Sequence, residues 1–394
     1  MTEEPPLLTS PAEGTPPVVA TASEFARAVE RLAAGSGPIA IDAERASGIR
    51  YGQRAFLVQV RRASAGTFLF DSEALGTLAD LNGAFGDDEW VIHSATQDLP
   101  CLQERGMRPA ALFDTELAAR LLGWEKFGLA AVAERALGVR LAKEHSAVDW
   151  SVRPLPEDWL DYAALDVEVL LPMRAVLKQE LIDSGKWEYA RQEFEHLLSF
   201  APKHHAEPWR RTQGLSKLKS RKDIAKVREL WRARDSMASE SDIAPSRILR
   251  DRELIALSLS RVRSSDDILS LWPKLSRAES ARLFRAYRKA ARLTTEELPR
   301  RQEASDGLRS PLSRTDIRER TAALKAAIAV RAEDMEIPHD VLLQPAAVKA
   351  LAARPGVDVP GFLADHGARA WQIELCAPVL ERALESLPED SAEG

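Results

Sequence analysis

The sequence predicts an α/β domain built on a mixed sheet, followed by two all-helical bundles. Three observations carry that prediction. Short β-type runs alternate with helical patterns through the first half of the chain. No strand-like run of any length occurs beyond residue 202. Charge is divided into blocks that follow the same partition: residues 1–200 hold 19 Lys and Arg against 31 Asp and Glu, residues 201–300 hold 24 against 13, and residues 301–394 hold 11 against 16. The overall charge of −6 conceals an acidic region followed by a basic one. That order suits a cation-dependent site beside a surface for a polyanion, although solvated helix faces would give the same totals.

The elements follow in order. Residues 1–20 are acidic and proline-rich and are expected to be a disordered tail, with neither the basic nor the apolar region of a secretory signal. TASEFARAVERLAAG has the apolar spacing of an amphipathic helix ending at Gly35. GPIAIDAE, AFLVQVRR and AGTFLFD are three strand-like runs separated by turn material. EALGTLADLNGAFG reads as a helix and EWVIHSA as a buried strand ending at His93; from Leu99 to Phe200 the pattern is helical nearly throughout. The proline-containing, cationic stretch APKHHAEPWRRTQG reads as a linker, with His204 and His205 solvated. The expected domains are 21–202, 213–292 and 308–390, the last two joined by a polar connector. With 45% apolar residues the chain can bury substantial cores. Its two cysteines, Cys101 and Cys376, are far apart and exclude a disulfide framework and a thiolate zinc site. No run reaches the length of a membrane span. The expectation is a cytoplasmic protein that uses no zinc and no membrane; oligomeric state is not legible.

Three places carry chemistry. In IAIDAE, Asp42 and Glu44 lie two apart on a strand, so both carboxylates face one side. Ile39 and Ile41 precede them and are expected on that same buried face, which argues against a solvated strand edge. Two adjacent carboxylates repel, and one is pushed toward protonation unless cations lie between them. In VIHSATQDLPCL, Asp98 follows the strand and, read alone, is a helix N-cap. In LPEDWLDYAALDVEVLL, Pro156, Glu157 and Asp158 mark a helix start, and Tyr162 and Asp166, four apart, share a face with Val169 that turns inward. A carboxylate there needs a partner. An arginine would serve, with Tyr162 merely packing.

Taken together, the DxE strand, the H-x4-D segment and the Y-x3-D helix resemble the three motifs of the DEDDy 3′→5′ exonucleases. The connecting text, FDTELAARLLG, GLAAVAERALGV and HSAVDWSVRPLPEDWLDYAALDVEVL, is similar to the ribonuclease D family nearly throughout. LWRARDSMASESDIAPSRILRDRELIALS resembles the HRDC module, a small helical domain, and the last bundle resembles a second HRDC-like repeat. The resemblance implies an RNase H-like, mixed-sheet exonuclease domain followed by HRDC and HRDC-like bundles. It implies Asp42, Glu44, Asp98 and Asp166 as metal-binding carboxylates and Tyr162 as the fifth catalytic residue.

The activity so implied is 3′→5′ hydrolysis of RNA to 5′-mononucleotides, on tRNA precursors and other structured RNAs. A DNA exonuclease and a non-cleaving RNA-binding scaffold are the alternatives. Oxygen ligands without a histidine pair or cysteine suit two Mg2+ or Mn2+ ions. Asp42 would bridge them, Glu44 and Asp166 completing one and Asp98 holding the other. The Tyr162 hydroxyl would orient the attacking water, the Ala43 backbone would approach the terminal nucleotide and His93 would frame its pocket. Lys217, Lys219, Arg221 and Lys222 are expected to track RNA phosphates, whereas Trp231 has the spacing of a core residue. The charge blocks further suggest that residues 1–205 alone suffice to degrade a short oligonucleotide.

Overall fold

The computed structural model of the chain describes residues 4–142, 148–202, 205–300 and 310–387. His204, residues 143–147 of the tryptophan-containing block, residues 301–309 of the connector and everything past 387 lie outside the described residues.

The first domain runs β1 (Leu7–Leu8), β2 (Val18–Val19), α1 (Ala22–Ala33), β3 (Ile39–Arg45), β4 (Ala55–Arg62), β5 (Gly66–Asp71), α2 (Ser72–Leu75), α3 (Asp80–Phe85), β6 (Glu89–Ile92), α4 (Ala95–Glu104), β7 (Ala111–Asp114), α5 (Thr115–Leu121), α6 (Leu129–Leu137), β8 (Arg140–Leu141), α7 (Glu157–Asp183) and α8 (Trp187–Leu198). Six strands form one mixed sheet in the order β2-β5-β4-β3-β6-β7. β3, β4 and β5 pair antiparallel, and β6 and β7 add in parallel on the other side of β3. Helix α1 starts where Thr21 and Glu24 form a capping box, and it buries Phe25, Ala28 and Leu32 against the sheet.

Several expectations change. Within the segment read as a disordered tail, Leu7–Leu8 pair with β8 and Val18–Val19 pair with the β5 edge. Two-residue pairings ask for few backbone donors, so neighbouring prolines do not prevent them, and they cover an otherwise open edge. The supposedly helical stretch after Leu99 contains β7 and β8. A four-residue apolar run such as ALFD looks alike in strand and helix, and its pairing with β6 decides the matter. EALGTLADLNGAFG is split into α2 and α3, with Gly76 at φ +74 after the first. On β3 the alternation places Ile39, Ile41 and Ala43 in the core opposite to the one that receives Ala40. The two isoleucines therefore do not share the face of Asp42 and Glu44; that face lies beneath α7.

The first bundle contains α9 (Arg221–Glu240), α10 (Pro245–Ile248), α11 (Asp251–Leu259), α12 (Ser265–Leu271) and α13 (Arg277–Ala291); the second contains α14 (Arg314–Met335), α15 (His339–Leu342), α16 (Pro345–Ala352), α17 (Val359–Asp365) and α18 (Ala370–Glu385). The first has its own core, which begins before residue 213 because the linker's Trp209 is buried in it; Trp231 packs against it from a partly buried position. The second bundle shares one apolar core with the first domain. Among the described residues no strand follows β8, and no helix is long and apolar enough to cross a membrane.

Candidate active site

β3 and α7 build the centre of the site. Ligand atoms of Asp42, Glu44 and Asp166 all lie within 4.8 Å of one another. The strand period aligns the first two, and α7, lying across the same face, brings the third down from above. One turn earlier Tyr162 hydrogen-bonds Asp166. The start of α7 is fixed by the block before it. Arg153 grips Asp71 at the end of β5 (Nε to Oδ2 2.5 Å, Nη2 to Oδ1 2.9 Å) and donates to the carbonyls of Trp150 and Phe56. Trp150 is fully buried against Trp159.

Asp98 joins from α4, in the helix's first turns and not at its cap. The capping is done by Asp114 at the end of β7, which accepts from the amides of Ser94 (3.1 Å) and Ala95 (2.8 Å) as well as from Glu116 and Leu117 at the start of α5. Burial pushes the Asp114 carboxyl up to about 6. Freed from capping, the buried Asp98 side chain hydrogen-bonds Asp42 and pairs with Arg45 at 2.9 Å.

The electrostatics follow from this crowding. Burial first, then the Asp42, Asp166 and Asp98 charges, drive the Glu44 carboxyl well above the usual range. Burial and the Asp42 charge do the same to Asp98 and Asp166. Burial also raises Asp42, against the pull of the Ala43 amide and Arg45. The Tyr162 phenol is pushed up by burial and then by Asp166, Glu44 and Asp42, so it stays protonated at neutral pH. Four carboxyl groups held this close are costly unless cations join them. An all-oxygen donor set on buried walls fits a divalent metal ion.

The remaining expected residues divide. The Ala43 side chain is buried on the far face, leaving its backbone on β3, whose ladder with β6 ends at Ala40. His93 stands just beyond β6 with Nδ1 2.9 Å from Thr115 Oγ1, and burial lowers it to about 4, so it is neutral. Lys217, Lys219 and Lys222 are exposed. Arg221 is not free to track phosphates: it donates to the carbonyls of Thr295 (3.1 Å), Leu298 (2.7 Å) and Pro299 (3.3 Å), tying the start of α9 to the end of its bundle.

Three features escaped the reading of the sequence. Arg45 follows the DxE motif directly. Gln59 lies opposite Asp42 in the β3–β4 ladder, fully buried, its amide without a hydrogen-bond partner among the described residues. On α13 and at its C-cap, exposed Arg285, Arg288 and Arg292 line a hollow of about 600 Å³ with Phe284. Only the last was visible in principle, as arginines at helical spacing in RLFRAYRKAARL.

Comparison with known proteins agrees with this geometry. Residues 16–182 match a family model described as 3′-5′ exonuclease, residues 224–280 the HRDC domain, and residues 314–384 the 3′ to 5′ exonuclease C-terminal domain. The last bundle, expected as a second HRDC-like repeat, thus matches a C-terminal domain of the exonuclease. A ribonuclease D from Zymomonas mobilis subsp. mobilis is 30% identical over 300 residues, 73% of this chain and 76% of the relative. A crystal structure of a protein from Bifidobacterium adolescentis superposes with a TM-score of 0.86 at 37% identity, covering 97% of this chain and 100% of that one. The fold is also that of Escherichia coli RNase D, with a TM-score of 0.68 at 24% identity over 95% and 99% of the two chains. The DxE strand, the acid from α4 and the Y-x3-D helix thus stand in a chain that belongs to the ribonuclease D family of 3′→5′ exoribonucleases.

Proposed function

We propose that this member of the family trims the 3′ ends of structured RNAs, tRNA precursors among them, in the cytoplasm, releasing 5′-mononucleotides with two divalent ions, Mg2+ or Mn2+. The observation that carries the reading is the convergence of Asp42, Glu44 and Asp166 within 4.8 Å, with Asp98 hydrogen-bonded to Asp42. Asp42, Glu44 and Asp166 would hold one ion, and Asp98 with Asp42 would hold the other. Bound there, a pair of divalent ions neutralises phosphoryl charge, lowers the pKa of water and supports the leaving 3′-oxygen. The chain's own groups do the rest. Tyr162, tied to Asp166, orients the attacking water through its hydroxyl. The Ala43 backbone and neutral His93 border the terminal nucleotide. Lys217, Lys219 and Lys222 contribute sequence-independent attraction for RNA. Escherichia coli RNase D, which shares the fold, is an exoribonuclease involved in structured RNA processing, and this supports the substrate class.

The test is product analysis on a 3′-extended tRNA beside matched single-stranded RNA and DNA, across a titration of Mg2+ and Mn2+. Mononucleotides released stepwise from the tRNA extension, in preference to DNA, are expected. Faster release from DNA would make it a DNA exonuclease, and no release with any metal would leave an RNA-binding scaffold.

A further inference from the structure

The cluster contains one cation that the roles above do not use. The β3–β4 ladder shifts register between Glu44 and Arg45, and Arg45 stands opposite Ala55. A bulge of this kind re-aims the side chain that follows it. Here Arg45 reaches α4, where its guanidinium donates to the carbonyl of Gln97 and lies 2.9 Å from Asp98 Oδ1. One fifth of the side chain remains open to solvent while the Asp98 side chain is buried. Arg45 is also the cation whose charge bears on Asp42, Glu44 and Asp98 alike. It therefore faces both solvent and the most deeply held carboxylate of the second ion site.

Charge counting gives this placement a consequence. Four ionised carboxylates and two divalent ions sum to zero, so with Arg45 the loaded site carries one net positive charge. One phosphodiester cancels it. A partly buried guanidinium whose carboxylate is taken by another cation needs a new anion, because an unpaired charge is costly there. Its planar fork matches phosphate oxygens bidentately. The Gln97 carbonyl keeps the group at the rim while that exchange takes place.

We propose that Arg45 is the site's resident counter-ion: it holds Asp98 until the second divalent ion arrives, yields that carboxylate to the ion, and then receives the phosphodiester of the RNA 3′ end. This rests on the reading of Asp98 as a metal ligand. In the metal-free protein Arg45 and the second ion compete for one carboxylate, whereas in the loaded protein Arg45 and the ions act together on the substrate. Removing its charge thus moves metal affinity and substrate affinity in opposite directions, which loss of a merely structural prop would not do.

The experiment uses the full chain as wild type, Arg45→Met, Arg45→Lys and Asp98→Asn. Mn2+ binding without RNA is followed by calorimetry, and kcat and KM are measured on a 3′-extended RNA. For Arg45→Met the weaker Mn2+ site is expected to tighten roughly tenfold, as when one charge-assisted competitor is lost, while KM rises by about tenfold or more with kcat changed less. Arg45→Lys should keep near wild-type Mn2+ affinity and recover much of the KM. Mn2+ binding that is unchanged or weaker in Arg45→Met, or weakened in Arg45→Lys, would overturn the proposal and leave Arg45 a brace for α4. Should Arg45→Met fail to fold, the Lys variant alone decides by the same criterion. Asp98→Asn separates the two readings: if it retains both Mn2+ sites, Asp98 is no ligand and the metal assignment fails independently of Arg45.

Discussion

The two helical bundles are built alike and attached differently. The HRDC bundle touches the exonuclease domain mainly through polar groups of the loop between β3 and β4, with only the Tyr51 ring of that loop packed against its apolar core. Arg54 forks onto Asp242 at 2.9 and 2.7 Å, Tyr51 donates to Asp235 at 3.2 Å, the Ala244 amide donates to the Ile49 carbonyl at 2.9 Å, and Arg247 donates to the Gly48 carbonyl at 3.2 Å. The C-terminal bundle is continuous with the exonuclease core. Leu324, Ile328, Leu342, Leu351 and Trp371 belong to one apolar cluster with Phe113, Leu165, Met173 and Phe194. At its edge the buried Glu193 accepts two bonds of 2.6 Å from Arg369 and one of 2.8 Å from Trp371 Nε1, and Lys186 bridges the carbonyls of Leu121 and Glu336. Polar docking of a bundle with its own core permits motion; a shared core does not. The catalytic fold is therefore discontinuous in sequence, closed by residues 314–385 across the HRDC insertion.

That contrast is broken most directly by truncation. Charge alone suggested an autonomous unit ending near residue 205, but such a chain would expose the faces of α5, α7 and α8 that the last bundle covers. A chain ending at residue 300 should share the defect, giving aggregated protein or the loss of a cooperative calorimetric transition. A soluble product with a transition near that of the full chain would show the two attachments to be equivalent. Next in size is Glu193→Ala. It leaves Arg369 and the Trp371 indole without their carboxylate in a buried place and should cost about 3–5 kcal/mol in urea unfolding.

The active site responds to pH in the opposite sense to the HRDC dock. Glu44, Asp98 and Asp166 have carboxyls raised above their unfolded values by burial and mutual repulsion. Groups raised in the folded state contribute stability that is fully present below the unfolded carboxyl range near ~4 and is lost as pH rises through the folded values. Asp242 is lowered by its hydrogen bond from Arg54, so its contribution is present above that range and lost only as pH falls through the lowered value. In chelator, Tm should therefore decline as pH rises above the unfolded carboxyl range near ~4. Mg2+ or Mn2+ should flatten the decline by binding the ionised carboxylates. Parallel curves with and without metal would mean that the cluster does not bind it.

What the sequence displayed depended on range. Asp42 with Glu44, and Tyr162 with Asp166, were legible because strand and helix periods alone align them. The face they share was misassigned through Ile39 and Ile41, which the same alternation of period two puts on the other side. Asp98 looked like a cap because the capping carboxylate, Asp114, arrives from a strand pairing with β6 that no local window contains. Arg45 gave no signal, since its reach to Asp98 depends on a register shift. Arg221 looked free because its acceptors are carbonyls more than seventy residues away. The shared core was invisible for a related reason: an amphipathic helix shows that it has an apolar face, and not what covers it.

A mild substitution at the HRDC dock tests the same distinction. Asp242→Ala removes the carboxylate that Arg54 forks, yet Arg54 keeps the Tyr51 carbonyl at 3.0 Å and lies beside Glu73. Asp242 is 41% exposed and Arg54 28%, so solvent replaces much of what is lost and stability should fall by no more than about 1 kcal/mol. In a chain of this size that is roughly 2 °C in Tm. The consequence lies in orientation. Asp242 and Asp235 sit at the C-terminal end of α9, whereas Lys222 stands about 20 Å away along the helix, at 1.5 Å per residue from Asp235. A small rotation about the loosened dock is magnified at that end. Hydrolysis of a short single-stranded oligonucleotide should be unchanged, while KM for a 3′-extended tRNA rises several-fold with an unaltered salt slope, since the phosphate contacts themselves remain. If Asp242→Ala instead lowers Tm as far as Glu193→Ala, the HRDC dock is a core interface too, and the distinction between a hinged and a fused bundle is lost.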